Sequence, residues 1–158
     1  MPKPRTAWAR AGIRYELNVV KALALFVPVL HNPWYVFEDD HGASYISPDI
    51  VLPYDSKLIV AECKLTYKPE AIVKLRRLYC PIIAMATEKP VLPLVITKNL
   101  NPSAPEPGLA LSIAIGLAEP LLHWTGKGSI GWGIASAERS EADGDASELA
   151  SGLSPLGV

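Results

Sequence analysis

The chain has 158 residues and a mass of 17.1 kDa, with 49% apolar and 20% charged residues, enough apolar material to bury one domain core. That excludes a wholly disordered chain and a small scaffold dependent on covalent staples. The formal net charge of −1 argues at first against a polyanionic partner, yet residues 1–130 hold 14 basic and 11 acidic side chains while residues 131–158 hold one basic residue, Arg139, and five acidic ones. A basic body is therefore hidden behind an acidic tail, and a nucleic acid would meet the body.

Cys63 and Cys80 form no disulfide framework and suit a reducing compartment. The basic N-terminus (Lys3, Arg5, Arg10, Arg14) leads into an apolar stretch broken by Glu16, Asn18 and Lys21, unlike the uninterrupted core of a signal peptide. A second apolar stretch, Leu109 to Trp124, contains Glu119 and Pro120 and is shorter than the roughly 20 residues a bilayer requires. A soluble cytoplasmic protein with no membrane partner is expected.

In chain order, Ile13, Leu17, Val20, Ala24 and Val27 step by four and three, which predicts a helix from Thr6 to about Val27, closed by Pro28. Three strand-like runs follow, Trp34 to Glu38, Tyr45 to Leu52 and Lys57 to Lys64, separated by turn residues and suited to an antiparallel meander. Pro69 opens a second helix with Ala71, Ile72, Leu75, Leu78 and Tyr79 on its apolar face, and Leu92 to Thr97 reads as a buried strand. The expected order is helix, three strands, helix, strand.

A proline-rich connector, Asn99 to Gly108, precedes the apolar run Leu109 to Leu117, and the glycine-rich segment Gly126 to Gly133 reads as a final hairpin. From Ala135 the chain has almost no large apolar residue and is expected to be disordered. The organisation expected is a core over residues 1–98, an extension over 99–134 that packs on the core or forms a dimer interface, and an acidic tail over 135–158.

Chemistry concentrates in residues 47–64, SPDIVLPYDSKLIVAECK. Asp49 opens one apolar strand and Glu62 ends another, with Lys64 on the same face of that strand two residues on. The intervening turn brings the two carboxylates together, and two close carboxylates repel unless a cation lies between them. Hard oxygen donors suit Mg²⁺, with Mn²⁺ as substitute, and a lysine beside them completes the parts for phosphodiester hydrolysis. His31, His41 and His123 have no ligand spacing with one another or with the cysteines, so no zinc site is expected. Gly126-Lys127-Gly128-Ser129 lacks the spacing of a phosphate-binding loop.

Pro48-Asp49 and Glu62-Cys63-Lys64 resemble the PD-(D/E)xK nuclease motif, over roughly residues 8–98. Within that span, Arg10-Ala11-Gly12-Ile13-Arg14-Tyr15-Glu16 and the Asp-Ile-Val then Ile-x-x-Glu-x-Lys pattern are similar to archaeal-type Holliday junction resolvases. The resemblance implies an α/β, restriction-endonuclease-like core, with a central mixed β-sheet flanked by helices in the order α-β-β-β-α-β. It implies Asp49, Glu62 and Glu16 as metal ligands together with the Cys63 carbonyl, and Lys64 as the catalytic lysine.

Ser44 or Ser47 matches the loop serine of that branch. Arg10 and Arg14 on the first helix, and Lys68, Lys74, Arg76 and Arg77 on the second, are expected to contact DNA phosphates, with Ser44 among the DNA contacts. A metal-dependent endodeoxyribonuclease acting on branched DNA as a homodimer is expected. A sequence-specific restriction-like or homing endonuclease, and a non-catalytic DNA-binding or assembly member of the fold, are the alternatives.

Overall fold

The computed structural model describes residues 6–132. Thr6 caps the first helix, α1 (Ala7–Ala24), its hydroxyl accepting from the Ala9 amide at 3.1 Å. A short strand β1 (Leu30–His31), the hairpin β2 (Tyr35–Asp39) and β3 (Gly42–Ile46), and the pair β4 (Ile50–Tyr54) and β5 (Lys57–Thr66) follow. Next come α2 (Pro69–Lys74), a π-helical turn (Leu75–Tyr79) and α3 (Cys80–Thr87), then β6 (Val91–Asn99), α4 (Ala110–Ala114) and β7 (Leu121–His123).

Five strands form one mixed sheet in the order β1-β4-β5-β6-β7, antiparallel from β1 to β5 and parallel from β5 to β7. Because β5 alternates its side chains, Ile59 and Ala61 enter one apolar cluster with α1, α4, Trp124, Ile130 and Trp132, while Leu58 and Val60 enter a second with α2, α3 and the hairpin. The result is an α/β fold with a central mixed sheet flanked by helices, as the sequence predicts.

Several elements differ from expectation. The run Tyr45 to Leu52 is two strands in two sheets, because Pro48 offers no amide to a ladder and the chain turns at Ser47-Pro48-Asp49. The three strands therefore form no meander: β2 and β3 pair only with each other, and β4 takes β1 as its outer neighbour. On α1 the buried stripe is Tyr15, Val19 and Leu23, whereas Ile13 and Leu17 are exposed. Apolar residues occupy more than one side of this helix, so spacing alone selects the wrong stripe.

The second helix runs to Thr87, beyond the length the sequence suggests, and it contains Pro81. A regular helix would press the Pro81 ring against the Arg77 carbonyl, and the wider π turn falls at that point. Residues 126–132 form no strand, although Ile130 and Trp132 are buried. Past the connector, Ala110, Ile113, Leu122 and Trp124 are buried in the core of this chain, leaving Leu109, Ile115 and Leu117 exposed. The Tyr15 hydroxyl donates to the Trp124 carbonyl at 2.7 Å and ties α1 to this segment. The expected acidic tail lies outside the described residues, and no helix among those described is long and apolar enough to cross a membrane.

Candidate active site

The site is created where β4 and β5 part. Their ladder ends at Ile50 opposite Ala61, while β5 continues beside β6 to Thr66. The next amide on β5, that of Cys63, would lack a strand partner, and it donates instead to Asp49 Oδ2 at 2.8 Å. A carboxylate thus replaces a backbone carbonyl in the ladder, and it is held against the end of β5 where Glu62 and Lys64 project.

Around this point a cleft of about 370 Å³ is lined by Gly12, Glu16, Ser47, Asp49, Glu62, Lys64, Lys74 and Tyr79, with Ala9, Ile13 and Cys63 completing the wall. Ala9, Gly12, Ile13 and Glu16 are spaced by three and four on α1, so one helical stripe faces the cleft while Tyr15, Val19 and Leu23 face the core. That division explains why Ile13 is not a core residue. A Cβ built on Gly12 would meet nothing within 4 Å, so the cleft is open on this side.

Three carboxylates converge. The Asp49 carboxylate lies beside both Glu62 and Glu16, close enough to raise the pKa of each. Burial pushes the Glu62 carboxyl up to about 8, the hydrogen bond and negative charge of Asp49 add to this, and Lys74 and Lys64 oppose it. Burial also raises Glu16, with Asp49 adding and His31 opposing. In the metal-free cleft the Glu62 carboxyl therefore keeps its proton at neutral pH. The Cys63 thiol is kept protonated by burial and by the same carboxylates.

The cationic side comes from two elements. Lys64 rises from β5, and Lys74 reaches in from the end of α2 with its Nζ 4.0 Å from Glu62 Oε1 and 4.7 Å from the centre of the Tyr79 ring. Residues five apart do not face each other on an α-helix, but the π turn between Lys74 and Tyr79 aligns them. Burial works against the Lys74 ammonium, yet Tyr79, Glu62 and Asp49 outweigh it and raise its pKa.

The sequence-predicted residues are thus partly brought together. Glu16, Asp49, Glu62, Cys63, Lys64 and Lys74 meet in one cleft. Ser47 lines it, whereas Ser44 lies exposed on β3 opposite Phe37. Arg10, Arg14, Lys68 and Arg77 are on the surface outside the cleft, and Arg76 lines a different one, of about 530 Å³, with Pro93 and Pro120. The second basic cluster is therefore not a single surface, because the helix turns Lys74 and Arg76 to different sides.

Sequence reasoning missed His31, whose Nε2 is 2.8 Å from Glu16 Oε2, and it missed Tyr79 as a cleft residue. No spacing connects His31 to Glu16. The strand β1 does so by pairing His31 with Ile50, next to Asp49.

Among the described residues, no group of three or more His, Cys, Asp or Glu side chains is arranged to hold a metal ion. The arrangement is an open carboxylate pair, Asp49 with Glu62, joined from the helix side by Glu16. Such a pair suits Mg²⁺, which keeps several waters and takes one or two carboxylates along with substrate phosphate oxygens. The Glu62 and Glu16 carboxyls are raised first by burial and then by Asp49, and a cation held between hard oxygen donors of this kind would offset both causes.

No protein-family model matches the chain, and no curated protein matches it. Among solved structures it is similar to the small subunit of the heterodimeric restriction endonuclease R.BspD6I, with 18% identity, a TM-score of 0.38, and coverage of 84% of this chain and 70% of that one. The functional reading rests on the residues of the cleft.

Proposed function

We propose that the protein is a divalent-metal-dependent endodeoxyribonuclease of the PD-(D/E)xK type. The observation that carries this reading is the meeting of Asp49, Glu62 and Glu16 with Lys64 and Lys74 in one cleft at the open end of β5. Asp49 and Glu62 would hold Mg²⁺ or Mn²⁺, with Glu16 and the Cys63 carbonyl completing the ligands. When bound there, the cation supplies Lewis-acid polarisation of a phosphate and activation of water.

The chain's own residues supply the rest. Lys64 orients the attacking water and balances charge growing on the phosphate oxygens. Lys74, held over Tyr79, adds a second positive charge beside Glu62. His31 and Asp49 hold the Glu16 carboxylate between them. The cleft is open, so a polymer can lie across it with Arg10 and Arg14 placed along the exposed side of α1.

Branched DNA is the favoured substrate, supported by the resolvase-like pattern of the first helix and of the segment around Asp49 and Glu62, and a homodimer would set two clefts on opposed strands. Incubation of plasmid, linear duplex and a four-way junction with Mg²⁺ tests the reading. Cleavage of at least one that disappears with Glu62→Ala is expected. No cleavage of any, or cleavage that Glu62→Ala leaves intact, removes it.

A further inference from the structure

We propose that the stacked pair Trp34 and Tyr45 is a platform for an unpaired nucleobase next to the phosphate in the cleft, an inference that rests on the nuclease reading above. The two rings lie with centroids 4.3 Å apart and planes 17° from parallel, yet Trp34 is 65% and Tyr45 55% exposed. Large rings are rarely left so open when the chain's own core could take them. The hairpin register explains the exposure: Tyr35, Phe37 and Ile46 turn inward to the second apolar cluster, so Val36 and Tyr45 face outward.

The pair is also tied to the cleft through both of its strands. Asn32, two residues before Trp34, donates its amide to the Asp49 carbonyl at 2.9 Å and accepts from Ser47 Oγ at 3.2 Å. Ser47, two residues after Tyr45, lines the cleft. Two residues of chain reach at most about 7 Å, the axial distance of about two nucleotides, so each ring is tethered within that reach of Asn32 and Ser47 at the edge of the cleft.

Stacking on each other holds both rings in place before any ligand arrives, and the outer face of Trp34 is free to continue the stack. A base can use that face only when its own face is exposed, which paired bases inside a duplex do not offer. The acidic hairpin tip, Glu38, Asp39 and Asp40, repels phosphates from the far end and confines a DNA backbone to the root, where Trp34 and the cleft lie. The ligand class is therefore DNA carrying an unpaired base beside the cut position, as at a flap or bulge.

Binding measured in EDTA with three probes of equal length tests this: a blunt duplex, the same duplex with one unpaired base, and that probe with the unpaired base made abasic. The full chain should prefer the unpaired base, and Trp34→Ala should weaken that probe about tenfold while leaving the other two unchanged. Trp34→Phe should restore most of the loss. In a Trp8→Phe background, where Trp34 is the exposed tryptophan left among the described residues, fluorescence should be quenched by the unpaired-base probe alone.

Equal weakening of all three probes by Trp34→Ala overturns the proposal. So does a change in sedimentation of the DNA-free protein, which would make this face a contact between two copies. Cleavage with Mg²⁺ that Trp34→Ala leaves unchanged on every probe removes the platform and keeps the nuclease. Base-dependent binding through Trp34 with no cleavage of any DNA keeps the platform and removes the nuclease.

Discussion

The two halves of β5 share one backbone and behave differently. From Leu58 to Ala61 the strand is paired on both edges and every side chain is buried in one of two apolar clusters. From Glu62 onward it keeps β6 but loses β4, and the residues that follow are a buried carboxylate, a thiol and a lysine at a cleft. What separates the halves is the turn at Pro48, which removes one strand partner and substitutes a carboxylate. A site can thus be made from core material by withholding a single neighbour.

Substitutions on either side of that boundary should fail in opposite ways. Glu62→Gln should reduce Mg²⁺-dependent cleavage by about 10²–10³-fold or more while circular dichroism stays unchanged. Ile59→Ala, three residues earlier and fully buried, should cost about 2–5 kcal/mol of stability in a denaturant titration and leave the folded fraction active. If Glu62→Gln unfolds the protein instead, the two halves are one core.

Acidity offers a second way to separate them. The Glu62 carboxyl releases its proton at about 8 in the folded chain against 4.5 for the free side chain. The metal-free folded state therefore binds more protons than the unfolded chain between these values, and stability should fall as pH rises from about 4.5 to about 8. Thermal melts in EDTA should show this slope, and Glu62→Gln should flatten it. Lys74→Met should shift the upper end of the slope to higher pH, because Lys74 is a charge that lowers Glu62.

The smallest effect concerns the wall opposite β5. Gly12→Ala places a methyl group in open space on α1 and should raise stability by about 0.5–1 kcal/mol. Since the same methyl group enters the cleft, DNA cleavage should fall although the melting temperature rises. An unchanged cleavage rate would show that DNA keeps away from Gly12.

The strands and helices that hold the carboxylates were legible because they depend on short-range pattern: Pro-Asp before one apolar run, Glu-x-Lys at the end of another, and a proline at the start of a helix. The exact partners were less so. Pro48 was read as part of a motif, and its power to stop the ladder, which divides Tyr45 from Ile50, was overlooked. The stripe of α1 was misplaced because Ile13 and Leu17 match helical spacing as well as Tyr15 and Val19 do. His31 could not be found from spacing, since only the pairing of a two-residue strand brings it to Glu16. Lys74 was recognised as basic, but its turn into the cleft depends on the π-helical widening ahead of Pro81.

The hydrogen bond from Tyr15 to Trp124 joins residues 109 positions apart. Glu16 is the next residue along, so a late-made part of the described chain fixes the helix that carries the first-made of the cleft carboxylates. A ribosome that has reached Asn99 has already produced Glu16, Asp49, Glu62, Lys64 and Lys74, but α1 still lacks Ile113, Leu122 and Trp124 to pack against. Assembly of the cleft therefore waits until Trp124 has been made, and a nascent chain stopped at Asn99 carries the carboxylates and lysines of the cleft without the packing that aligns α1 with them.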